Sequence, residues 1–155
     1  MEADENEPSC SIERSLEVLG ERWTFLILRS AFLGTTRFAG FRSALGIAPN
    51  LLSARLRTLV AAGILEPQQY QEPGSRTRVS YHLTESGMQL RLVLAALQQW
   101  GDEYRPRPAG PSTVRRSRST GRPAHVAVVD DTGTEIPLED LAMLPAASLD
   151  ESRGG

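Results

Sequence analysis

Lysine is absent from this 155-residue chain, cysteine occurs once and histidine twice. A single Cys10 excludes an intramolecular disulfide and suits a reducing compartment. Cys10, His82 and His125 are too few and too scattered for the four ligands of an ordinary zinc site. No apolar run approaches the roughly 20 residues that cross a bilayer. The opening M-E-A-D-E-N-E-P is acidic, whereas a secretory signal starts basic and turns apolar. The cytoplasm is therefore the expected compartment, with no membrane partner. Nucleophile elbow, P-loop, dinucleotide fingerprint and zinc spacing are all missing, and no acids are visibly paired. An enzyme is not expected, nor a cofactor.

The chain is long enough for one domain with a real core and some extra sequence. Its net charge is −2, but the charges are unevenly spread. Glu2, Asp4, Glu5 and Glu7 crowd the front, and seven acids lie between Asp130 and Glu151. Between Arg37 and Arg78, six arginines face only Glu66 and Glu72. A second basic stretch holds Arg105, Arg107, Arg115, Arg116, Arg118 and Arg122 with no acid among them. For nucleic-acid binding the distribution matters more than the sum. The exclusive use of arginine reads as coding bias, although arginine suits phosphate recognition.

Apolar periodicity predicts helices over Ser11–Leu19, Arg22–Leu33, around Phe38–Leu45, and from Pro49 to a stop at Gly63. Pro49 fits a first helical turn, where its missing N–H costs nothing. Ile64–Tyr70 and Arg78–Leu83 read as strands around the turn signal Q-E-P-G-S-R-T. In the second strand Val79, Tyr81 and Leu83 are expected inward, with Arg78, Ser80 and His82 outward. Thr84 caps a long last helix to about Tyr104. The result is mainly α with a small β-hairpin wing, an α+β winged helix-turn-helix. Residues 1–8 are expected as a disordered acidic lead and 9–104 as the DNA-binding and dimerisation domain. An Arg/Pro/Ser-rich linker at 105–124, a small β-hairpin at 125–146 turning at Asp131-Thr132-Gly133, and a disordered tail at 147–155 complete the chain.

On the fourth helix, stepping about 100° per residue places Leu52, Leu56 and Leu59 together on a buried stripe. Asn50, Ala54 and Arg57 fall opposite, flanked by Ser53 and Thr58. Small residues let such a helix sit deep in a major groove. There Arg57 suits guanine or a phosphate, and Asn50 suits adenine or a phosphate. Arg55 falls near the buried edge and is expected to pair or pack internally. A solvated helix face carrying one arginine would look the same. The wing adds Arg76 and Arg78 beside Gly74, placed for phosphates or a minor groove, and Arg37 opens the third helix as a backbone contact.

The motifs, in order, are C-S-I-E at Cys10, G-E-R-W-T-F-L-I-L-R from Gly20, and R-F-A-G-F-R from Arg37. L-L-S-A-R-L-R-T-L-V-A-A-G-I-L, then R-V-S-Y-H-L-T-E-S-G from Arg78, and Q-Q-W-G near residue 100 follow. The sequence thereby resembles the HxlR-type winged helix regulators, relatives of the MarR group, over about residues 9–104. The resemblance implies a homodimer built from the first and last helices, the fourth helix (with Pro49 at its start) in the major groove, and control of a promoter. It also implies that a cysteine at the position of Cys10 senses oxidants in some members. Where the family usually has a basic wing residue this chain has Pro67. The tail after residue 105 lies outside the core pattern and is similar to an extension on some relatives.

Dimerisation has a physical argument of its own. The last helix, about 30 Å long, carries Leu90, Val93, Leu94, Leu97 and Trp100 on one stripe, and the first carries Ile12 and Leu16. A small winged domain cannot cover that much apolar surface, and such stripes usually meet a partner. A two-fold dimer predicts pseudo-palindromic half-sites about one DNA turn apart. Cys10 precedes a helix start, where the dipole favours a thiolate, but position alone does not separate a sensor from a thiol without a role. Trp23, Trp100 and Tyr104 fit either an effector pocket or, more commonly, plain core or interface. The Arg105–Arg122 stretch fits a DNA-binding arm or a solvated linker equally well. The expected partners are double-stranded DNA, a second copy, and an oxidant or small-molecule effector. The competing class is a winged-helix module that binds protein instead of specific DNA.

Overall fold

The computed structural model describes residues 10–146, so the segments expected to be disordered at 1–8 and 147–155 lie outside the described residues. The chain forms two compact units, one ending at Gln98 and the other beginning at Gln99.

The first unit contains α1 (Ser11–Leu19), α2 (Arg22–Phe32), α3 (Phe38–Leu45) and α4 (Pro49–Ala61). These are followed by strands β1 (Leu65–Tyr70) and β2 (Arg78–Leu83) and by α5 (Glu85–Tyr104), whose last turns belong to the second unit. This is the expected α+β order, helices with an antiparallel hairpin. Its core is Leu19, Ile27, Leu28, Phe41, Ile47, Leu52, Leu56, Leu59, Ile64 and Leu65. The stripe assigned to α4 is fully buried, with Leu52, Leu56 and Leu59 at 0, 1 and 0% exposure. Trp23 leans on this core, which favours the plain packing reading for it.

The end of α4 is fixed by Gly63, whose φ of +71° is a left-handed value open to glycine at little cost. Past it, the Ile64 amide donates back to the Leu59 carbonyl at 2.9 Å, closing the helix in the manner of a Schellman cap. The chain then enters β1. Leu65 pairs with Leu83 and Tyr70 with Arg78.

β2 has neighbours on both sides. Ser80 bridges to Arg37, and the Tyr81 amide donates to the Thr36 carbonyl at 2.7 Å. Tyr81 therefore turns its polar backbone away from β1, and Pro67, directly opposite it, needs no N–H there. This explains how a proline sits in the first strand of the wing. It also corrects the alternation expected for β2. Ser80 is buried and Val79 is exposed, with Ser80 flanked by Gln68 of β1 on one side and Arg37 on the other. Its hydroxyl donates to the Gln68 carbonyl at 3.2 Å and lies 2.8 Å from His82 Nε2. His82 is accordingly half-buried rather than solvated.

The start of α5 is tied to the α4–β1 corner. Thr84 Oγ1 lies 2.5 Å from the Gly63 carbonyl and accepts the Gly87 amide at 3.1 Å, as an N-cap does. Ser86 donates to the same Gly63 carbonyl at 2.9 Å. Gly87 is buried against the Ile64 carbonyl so closely that a Cβ there would lie 2.2 Å from the oxygen.

In the second unit, no described residue from Gln99 to Ala146 is buried. Polar bonds hold it together. The Gln99 amide group acts as a strand edge, donating to the Val126 carbonyl at 3.0 Å and accepting its N–H at 2.7 Å. Within the stretch expected as a linker, Arg115–Ala124 folds back on itself, with Arg116 bridged to Pro123. The expected hairpin is β3 (Val128–Val129) with β4 (Glu135–Ile136), and a single 3₁₀ turn, Leu138–Asp140, follows. Asp130 organises its tip. One carboxylate oxygen accepts from the Thr132 amide, the Thr132 hydroxyl and the Thr134 amide at 2.7–3.0 Å.

Candidate nucleic-acid interface

α3 and α4 pack together and both rest on α2, a helix-turn-helix arrangement with the β1–β2 hairpin after it. Burial of Leu52, Leu56 and Leu59 fixes the roll of α4 about its axis and so decides which side chains remain outside. Pro49, Asn50, Arg57 and Thr58 are exposed, while Ser53 and Ala54 are half-buried on the flanks. Thr58 donates its hydroxyl to the Ala54 carbonyl at 3.1 Å, which leaves it an acceptor toward any ligand. Arg55 lies 3.9 Å from Glu21 with its side chain 24% exposed, in line with an internal pairing role.

Arg57, Arg76 and Arg78 are exposed, and among the described residues none has an ion pair or side-chain hydrogen bond. Arg37 differs. Its guanidinium pairs with Glu72 at 2.5 Å and lies over the Tyr70 ring at 4.2 Å. Both partners come from the wing side of the sheet, so Arg37 ties the entrance of α3 to the hairpin. To contact a phosphate it must exchange Glu72 for it, and an exposed pair of this kind is weak enough to exchange. Two neighbours escape sequence reasoning. Glu72 places a negative charge beside the basic face, and Arg42, exposed on α3, adds a cation. The charge surplus of that segment was the available signal for Arg42; no local signal pointed to the Glu72 pairing.

Of the residues assigned to a dimer face, Ile12 (60%), Leu16 (55%), Val93 (39%), Leu97 (50%) and Trp100 (55%) are exposed. Leu90 and Leu94 lean instead on their own core, and Met88 and Leu92 stand exposed on the same helix. Trp100 contacts Tyr104 ring to ring at 5.6 Å. Cys10 is a free, exposed thiol at the N-cap position of α1.

The HxlR-like helix-turn-helix family matches residues 18–109 of this chain. The chain belongs to that family. As an HxlR-like protein it is a transcriptional regulator, and such regulators are not enzymes. It is 41% identical over 136 residues to the HTH-type transcriptional regulator Rv3095 of Mycobacterium tuberculosis, itself uncharacterised, covering 87% of this chain and 85% of the relative. Among solved structures it is similar to PA1607, described as a candidate transcription factor. That match has a TM-score of 0.78 and 35% identity, over 92% of this chain and 99% of the other. The reduced form of the redox regulator HypR matches with a TM-score of 0.56 and 30% identity, over 62% of this chain and 94% of HypR. The similarity therefore extends across most of this chain for Rv3095 and PA1607 and across a shorter part for HypR. Among the described residues, no cluster of acids, histidines and cysteine could hold a metal, and no helix is long and apolar enough to cross a membrane.

Proposed function

We propose that this HxlR-like regulator binds a pseudo-palindromic DNA operator as a homodimer, with α4 entering the major groove and the β1–β2 wing alongside. The observation that carries the reading is the outward face of α4. Its inner side is locked by three fully buried leucines, while Asn50 and Arg57 stand free on the outer side, and Arg76 and Arg78 are free at the wing. Arg57 supplies the bidentate donor that reads guanine, Asn50 suits adenine, and the wing arginines position the duplex through phosphates. The exposed apolar residues of α1 and α5 supply the two-fold contact, which sets half-sites about one turn of DNA apart. The regulator acts in the cytoplasm, at the bacterial nucleoid.

Cys10, exposed at the start of α1 beside that contact surface, is the residue through which an oxidant would act on the dimer. HypR, described as a redox regulator, makes that input chemically reasonable. Cys10→Ser should then abolish any loss of DNA binding under diamide.

Fluorescence anisotropy on duplexes from the protein's own upstream region tests the main reading. Binding should be sub-micromolar and should weaken steeply with salt as counterions are released. Arg57→Ala should cost roughly 1–3 kcal/mol on the operator and relax its sequence preference, whereas Arg76→Ala should mainly lower the salt slope. A protein that binds no DNA above background but retains a protein partner would favour the winged-helix interaction module.

A further inference from the structure

The second unit carries the other concentration of arginine, and of these only Arg115 is paired with an acid among the described residues. No acid occurs between Glu103 and Asp130, a span that holds Arg105, Arg107, Arg115, Arg116, Arg118 and Arg122. The following stretch holds Asp130, Asp131, Glu135, Glu139 and Asp140. Acids and arginines therefore share one compact unit, yet its ion pairs among the described residues are only Arg115–Asp102, at 3.3 Å, and His125–Glu135, at 3.9 Å. Arg107, Arg118 and Arg122 are exposed and use their guanidinium groups on nothing described.

The loop that presents Arg118 and Arg122 is held in shape, with Arg107 on the segment leading into it. The Ser117 amide donates to the Arg122 carbonyl at 2.9 Å, the Gly121 amide to the Ser117 carbonyl at 2.8 Å, and the Ala124 amide to the Arg115 carbonyl at 3.0 Å. Arg116 closes the loop from the side, donating to the Gly121 carbonyl at 2.9 Å. Arg118 stands near the tip among Ser117, Ser119 and Thr120, and Arg122 stands on the returning limb. A solvated linker needs no such closure, and a simple ion-paired surface would have drawn on the five acids downstream. Arginines fixed on a preformed loop lose less freedom on meeting a polyanion than arginines on a loose tail.

We propose that the Arg107–Arg122 segment is a second DNA-contacting element, a basic stretch that binds phosphates of the duplex. The proposal rests on the DNA-binding reading above and extends it to a part of the chain that the helix-turn-helix does not include. The ligand is the sugar–phosphate backbone of double-stranded DNA. Its arginines, and the hydroxyls of Ser117, Ser119 and Thr120 beside them, are groups that bond phosphate oxygens, so the loop is proposed to add affinity and salt dependence.

The test uses the full-length protein and a long operator duplex. The variant Arg107→Ala/Arg118→Ala/Arg122→Ala removes only guanidinium groups that make no contact in the described structure. Its affinity for the long duplex should fall by roughly tenfold or more, and the slope of log K against log salt should flatten by about 2 to 3 for each protomer bound. The lysine version, with Lys at the same three positions, should restore most of the slope. Arg57→Ala runs beside them as a probe of the helix-turn-helix itself. An alanine variant that matches wild type on the long duplex, while Arg57→Ala is impaired, overturns the loop and leaves the DNA reading standing. A lysine variant as weak as the alanine variant also overturns it, because the loss would then not be electrostatic. If wild type binds no duplex, both readings fail together.

Discussion

The two units reach order by different physics. Up to Gln98, ten buried apolar residues form a continuous core, and every element between α2 and β2 rests on it. From Gln99 on, no described side chain is buried, and the fold is a set of local polar closures: Gln99 on Val126, the Arg115–Ala124 loop, and Asp130 at a hairpin tip. Burial is cooperative, since each core residue supports several others, whereas an exposed hydrogen bond competes with water and is worth little alone. The first unit should therefore melt as a block, and the second should open in pieces at lower cost.

That contrast can be broken from the core downward. Leu56→Ala, at 1% exposure, removes a side chain wedged among the helices and should cost about 2–5 kcal/mol in urea unfolding. A loss under 1 kcal/mol would mean the core is looser than its burial indicates. Next comes Gly87→Ala, which drives a methyl group to 2.2 Å from the Ile64 carbonyl oxygen and forces backbone apart. Overpacking of this kind should cost roughly 1–3 kcal/mol, visible as a lower thermal midpoint.

In the second unit, Gln99→Ala deletes both bonds to Val126. The Val126 amide should then exchange with deuterium several-fold faster, while the unfolding of the first unit stays unchanged. A matching loss of protection in α4 would erase the proposed division. The smallest effect belongs to Asp130. Bonds from the Thr132 hydroxyl, then the Thr134 amide, hold its carboxyl below the ordinary 3.8. A carboxylate held low stabilises the fold above its ordinary value and gives that contribution up as pH falls through the lower, folded one. Acidification below about pH 4 should thus loosen the β3–β4 tip first, seen as broadening of the Thr132–Thr134 amide resonances by NMR. A tip unchanged in protonated form would show that the turn does not depend on the charge.

The same contrast explains what could be seen in advance. Helical periodicity places Leu52, Leu56 and Leu59 on the inside of α4, and the outward set of Asn50, Arg57 and Thr58 follows from it. The helix ends follow from Gly63 and Thr84, which act through their own backbone neighbourhood. Ser80 and His82 could not be placed, because Ser80 is bridged to Arg37, more than forty residues earlier in the chain, and His82 bonds to Ser80. The hold of Glu72 and Tyr70 on Arg37 is equally non-local. The fold-back of residues 115–124 is written in hydrogen bonds between main-chain groups, and those leave no hydrophobic period to read.

The stitch at the head of α5 has a mechanical meaning. Thr84, Ser86 and Gly87 clamp that helix to the very corner where α4 ends, with no room at Gly87 for slack. In the proposed dimer through α5, a change in crossing angle would swing each α4 like the jaw of a caliper. The gap between the jaws, and so the half-site spacing that fits, would become a readout of how the two long helices meet.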